Sequence, residues 1–68
     1  MSAALEAKRA EVAGWDQAYR DAKADVATLD WRETPTEELL ATCERAAMAR
    51  AGMIQARREL AAMQEATP

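Results

Sequence analysis

Apolar residues recur every seven positions along two long stretches of this chain, and nowhere do they alternate as a strand would require. In the first stretch Leu5, Val12, Tyr19 and Val26 form one row, and Lys8, Trp15, Ala22 and Leu29 form its companion. In the second, Leu39, Ala46, Met53 and Leu60 are matched by Thr42, Ala49, Ala56 and Met63. Both stretches are poor in β-branched residues. The pattern predicts helix 1 over about 3–30, a turn over about 31–34 and helix 2 over about 35–66.

The punctuation between the stretches is Thr34-Pro35-Thr36-Glu37. It reads as an N-cap at Thr34, a first helical residue at Pro35 and a capping box closed by Glu37. Ser2 is a candidate cap for helix 1. Helices of roughly 42–45 Å joined by so short a connection must lie antiparallel. Folding at the turn sets Leu29 against Leu39, Val26 against Thr42, Ala22 against Ala46 and Tyr19 against Ala49. Trp15 then faces Met53, Val12 faces Ala56, Lys8 faces Leu60 and Leu5 faces Met63. Tyr19 and Val12 each oppose an alanine, which lets helices pack closely without voids. The expected fold is all-α: a coiled-coil-like antiparallel two-helix hairpin forming one domain over residues 1–68.

Length changes this picture, because a core in 68 residues rarely supplies more than about 3–5 kcal/mol. Small folds compensate with disulfides, metal or association. A lone cysteine, Cys43, excludes an internal disulfide, and with no histidine it cannot assemble a zinc site. Association remains, and helix 2 has a second stripe to serve it. Leu40, Ala47, Ile54 and Ala61 repeat every seven residues beside the seam, with Cys43, Arg50, Arg57 and Gln64 at companion positions. The expectation is a homodimer closing into a four-helix bundle through Leu40, Cys43, Ala47, Arg50, Ile54, Arg57 and Ala61. Asp16, Asp25 and Asp30 are the candidate carboxylates for those arginines across the dimer. The plainer reading is a wide core face that caps the edge of one hairpin.

Net charge is −3, with both signs interspersed, which argues against a nonspecific nucleic-acid binder. Roughly a quarter of the residues are alanine, and arginine outnumbers lysine. No apolar run approaches the ~18–20 residues of a membrane span, and no signal-peptide core opens the sequence. With one unpaired thiol this gives a cytoplasmic expectation.

Candidate chemistry is thin. Without histidine, Cys43 lacks the usual activating base and reads as a small buried hydrophobe. Asp16, Asp21, Asp25 and Asp30 read as a solvated face, since paired carboxylates need a shaped pocket to run acid–base chemistry. No glycine-rich phosphate loop is present. No enzyme, metal or cofactor is expected. The candidate partner-binding residues are Trp31 and Arg32 at the turn, with Trp15 and Tyr19 at the seam edge. Gly14 and Gly52 fall at one height of the hairpin and read either as a notch for a close neighbour or as tolerated drift.

The expected function is that of a small regulator or adaptor that dimerises and occludes a surface of a larger protein. Two further classes stay open. The layout resembles the plasmid repressor-of-primer proteins, which implies a nucleic-acid-binding bundle with Arg45, Arg50, Arg57 and Arg58 on phosphates. A structural subunit of a larger assembly, such as a bacteriophage, is the other. Size and layout are also similar to the quorum-sensing anti-activators, which implies a phage- or plasmid-encoded inhibitor acting on a host regulator.

Overall fold

The computed structural model describes residues 2–66, and over them the chain is two helices packed against each other. α1 runs Ala3–Ala27 and α2 runs Thr36–Ala66, with no strand among the described residues. Ser2 caps α1: its backbone is extended and its Oγ accepts a hydrogen bond from the Leu5 amide at 3.3 Å.

α1 stops three residues short of the expected end, where the last turn tightens and the Leu29 amide bonds the Val26 carbonyl at 3.3 Å. Thr28 donates its hydroxyl back to the Asp25 carbonyl at 3.0 Å. Asp30 then takes over: Oδ1 accepts from the Arg32 amide at 3.0 Å, and its carbonyl accepts from Glu33 and Thr34 at 3.2 and 2.9 Å. These bonds wind residues 30–34 into a tight turn that α1 cannot enter.

The start of α2 also differs from expectation. The Pro35 carbonyl accepts from the amides of Glu38 and Leu39 at 3.1 and 3.0 Å, so Pro35 holds the capping position and Thr36 is the first helical residue. The one-residue shift takes Thr34 out of reach of a capping box with Glu37. Glu37 and Glu38 in the first turn still favour the positive end of the helix dipole.

The hairpin is a rod of 54 × 14 × 13 Å. Its radius of gyration of 15.7 Å compares with about 11 Å for a compact domain of this length. The two helices run antiparallel, with contacts between matching heights. Lys8 of α1 reaches Glu59 of α2 at 3.0 Å, Asp16 meets Arg57 at 2.8 Å, and Tyr19 and Val26 share a hollow with Ala46 and Ala47.

What the rod lacks is depth. Thr42, Ala49 and Ala56, one heptad row of α2, are the only described residues buried outright, and no large side chain is fully enclosed. The two polar seam residues are accommodated. Thr42 donates to the Glu38 carbonyl at 2.8 Å and accepts from Arg45 at 3.2 Å. Lys8 keeps 20% of its side chain exposed and binds Glu11 at 2.6 Å as well as Glu59.

Candidate binding face

Trp15 and Tyr19 lie one helical turn apart on α1, yet they go to different flanks of the seam. The Trp15 ring lies over Gly52. A Cβ added there would fall 2.5 and 2.6 Å from Cε3 and Cη2 of the indole, closer than real atoms approach. Gly52 is therefore the notch that one reading of the glycines anticipated, and the neighbour it admits is Trp15 of the same chain. Gly14 faces open space.

Tyr19 turns to the other flank. It walls two open hollows of about 330 Å³ each, one with Val26, Ala27, Ala46 and Ala47 and one with Met53. Lys23 and Arg50 stand at the first hollow; Asp16, Arg20 and Arg57 stand at the second. Arg50 and Gly52 are two residues apart, about 200° round α2, so the notch and the hollows face nearly opposite ways.

The Arg57–Asp16 pair corrects one expectation. Asp16 binds Arg57 within the hairpin at 2.8 Å and so is already engaged, because the short turn brings the matching heights of α1 and α2 together before any second chain arrives. Lys23 lies 5.2 Å from the Tyr19 ring centre, within cation–π range. Arg50 has no ion-pair partner among the described residues.

The second stripe of α2 is uncovered in part. Leu40 is 60% exposed, Ala47 and Ala61 are exposed, and Cys43 and Ile54 are half-buried. Arg50 and Arg57 are exposed beside it. The heptad pattern does not mark Met48, at 72% the most exposed of the large apolar side chains among the described residues. Its neighbour Ala51 joins it to the stripe, since Ala47, Met48, Ile54 and Gln55 all lie three or four residues from Ala51 on the helix surface. That three-and-four spacing is the signal in the sequence for this uncharged patch. A strict seven-residue repeat hides it, because Met48 falls outside the stripe's two rows.

Trp31, at the tip of the turn, is 60% exposed, and Arg32 beside it is exposed too. The turn bonds of Asp30 hold the backbone there, so the indole is presented from a fixed support.

Hydrogen bonds to Glu11 and then Glu59 raise the Lys8 ammonium above its ordinary pKa. Bonds from Lys8 and then Gln55 hold the Glu59 carboxyl below its own. Both groups belong to the seam and its rim. Among the described residues no cluster of three or more Cys, Asp or Glu side chains is placed to hold a metal ion. No helix there is long and apolar enough to cross a membrane. In comparisons with known proteins, no family model, curated protein or solved structure matches the chain.

Proposed function

We propose that this chain is a small non-enzymatic regulator or adaptor that homodimerises and acts by covering a surface of a larger protein. The observation that carries the reading is the mismatch between surface and core. The chain exposes 5187 Å², against about 4,200 Å² for a compact folded monomer of 7.5 kDa. The difference, about 1,000 Å², exceeds the roughly 800 Å² that each partner contributes to a standard protein interface.

The dimer face is the outer side of α2: Leu40, Ala47, Met48, Ala51, Ile54 and Ala61, with Cys43, Arg50 and Arg57 along its edge. Packing two such faces would give a four-helix bundle and supply the core that one hairpin lacks. Trp31 and Arg32 at the turn remain free in that arrangement and present a residue pair favoured at binding hot spots. Occlusion suits a rod with exposed apolar patches and shallow hollows.

Light scattering coupled to size exclusion tests the self-association. Wild type is expected at twice the chain mass. Leu40→Glu and Met48→Glu, both at positions already exposed in the hairpin, are expected at the monomer mass with helicity retained. Ile54→Asp is expected to lose the dimer and some of the fold, since Ile54 is half-buried. A wild-type monomer with full helicity would remove the dimer from the reading.

A further inference from the structure

We infer that the flank carrying the Tyr19 hollows is the docking groove for an acidic amphipathic helix of the partner protein. This deepens the protein-binding reading above and rests on it, but it does not depend on dimerisation.

The inference starts from how charge is distributed about the seam. Residues 9, 16 and 23 of α1 share one heptad position, residues 6 and 20 lie beside them, and Arg50 and Arg57 of α2 face the same side. Within the two helices the flank therefore carries Arg9, Arg20, Lys23, Arg50 and Arg57 against Glu6 and Asp16; Asp30, next in the row, lies in the turn with its carboxylate on the Arg32 amide. The other ten carboxylates and four cations of the chain lie elsewhere. An acidic protein has thus gathered most of its positive charge on one edge.

The same edge is where apolar surface is recessed. Tyr19, Val26, Ala27, Ala46 and Ala47 wall a hollow of about 330 Å³, with Lys23 and Arg50 at its rim. The volume is at the lower end of that of small-ligand sites, and the hollow is open along the rod. Such a trough suits a row of side chains from an extended element. An amphipathic helix laid along it would seat apolar anchors at i, i+3, i+4 and i+7. Carboxylates flanking those anchors would meet Lys23 and Arg50, of which Arg50 has no ion-pair partner among the described residues. Arg20 at the second hollow extends the cationic rim, whereas Arg57 is already bound to Asp16.

Charge also selects among occupants. A second copy presenting this flank would bring five cations toward five, so the dimer proposed above packs through the outer side of α2 and meets the trough only at the shared edge of Ala47, Arg50 and Arg57. A nucleic acid would satisfy the cations and leave the apolar walls without a partner.

The test is fluorescence anisotropy with the full chain and three labelled probes. One is a helical peptide of about 18 residues with leucine anchors flanked by glutamate. The second is the same peptide with lysine for glutamate, and the third is a duplex RNA. The acidic peptide is expected to bind, and Lys23→Glu/Arg50→Glu should weaken it at least about tenfold. Ala27→Trp, at an exposed lining position, should block the trough while leaving every charge in place. The lysine peptide should not bind.

Failure of the acidic peptide to bind overturns the inference, as does equal binding of the lysine peptide or indifference to both sets of substitutions. RNA binding with a steep salt dependence, lost in the charge-reversed variant, would also overturn it and assign the flank to phosphates. A dimer by light scattering with no peptide binding would remove this inference alone; a monomer that binds the acidic peptide would remove only the dimer.

Discussion

The contact between Trp15 and Gly52 can be tested by adding one methyl group. Glycine within a helix costs up to about 1 kcal/mol relative to alanine, so Gly→Ala stabilises wherever the Cβ has room. At Gly14 it has room, and Gly14→Ala is expected to stabilise the hairpin by about 0.5–1 kcal/mol. At Gly52 the new atom would sit within 2.6 Å of the indole Cη2, and the ring must move. Trp15 is 36% exposed; shielding roughly 150 Å² of it is worth about 3–4 kcal/mol as an upper bound. Overpacking usually costs about 1–3 kcal/mol, part of which the helix-propensity gain offsets. Gly52→Ala should therefore destabilise by about 1–2 kcal/mol, the opposite sign to Gly14→Ala. In a Trp15→Ala background the clash is gone, and Gly52→Ala should stabilise by about 1 kcal/mol. The coupling between the two sites is then about 2–3 kcal/mol.

Urea titrations followed by circular dichroism measure all four corners of this cycle. Protein concentration must be held constant, because self-association would shift apparent stability. An excluded osmolyte common to every sample would keep the Trp15→Ala corners folded. With Trp31→Phe as the parent, Trp15 emission reports directly on whether the indole leaves the notch. Equal stabilisation by Gly14→Ala and Gly52→Ala, or zero coupling with Trp15, would refute the placement of the ring over Gly52.

Three further outcomes follow from the same packing. Ala56 is 1% exposed and lies at the close approach of the helices, so Ala56→Leu should destabilise by about 1–3 kcal/mol in thermal or urea unfolding; a stabilised variant would mean an unfilled seam. The Asp16–Arg57 bridge is largely solvated, with Arg57 56% exposed, so Asp16→Asn should cost no more than about 1 kcal/mol and the loss should shrink in high salt. For pH, Glu59 is held below its ordinary value of 4.5, so its contribution is fully present above that value and is lost as pH falls through the lower folded value. Lys8 is held above 10.5, so its contribution is full below that and is lost as pH rises through the higher folded value. Unfolding measured against pH should show a plateau between these limbs; Glu59→Gln should flatten the acid limb and also reduce the alkaline one, since Glu59 helps to raise Lys8, while Glu11 still supports it.

Much of the fold was legible in the sequence because each of its elements is local. The heptad rows, Ser2 as a cap and Pro35 as a breaker act within a turn or two of themselves. With a connection this short, the antiparallel register follows from them. The boundaries were read less well. Asp30 can continue a helix or cap the nearby backbone, and only its bonds to Arg32, Glu33 and Thr34 show which alternative prevails.

The candidate face was legible as a set of positions and not as an arrangement. Leu40, Ile54, Arg50 and Arg57 were marked by periodicity, but Asp16, one of three candidate carboxylates for a second chain, bonds Arg57 in its own. Met48 was missed because its exposure depends on what does not cover it. Gly52 reads as a possible notch in the sequence, but Trp15 and Tyr19 share a heptad seam and nothing in the pattern says that one ring enters the notch while the other walls an open trough.

The sequence by itself determined that this chain is helical, hinged once and antiparallel, since backbone propensity, capping and periodicity are nearest-neighbour properties. Only the tertiary structure decided how little becomes buried, which glycine receives an indole, and which flank gathers the cations. Those depend on the relative rotation of two helices about their axes. A few degrees of such rotation, set by side-chain packing across the seam, leave the heptad pattern unchanged while moving a residue from the core to the rim.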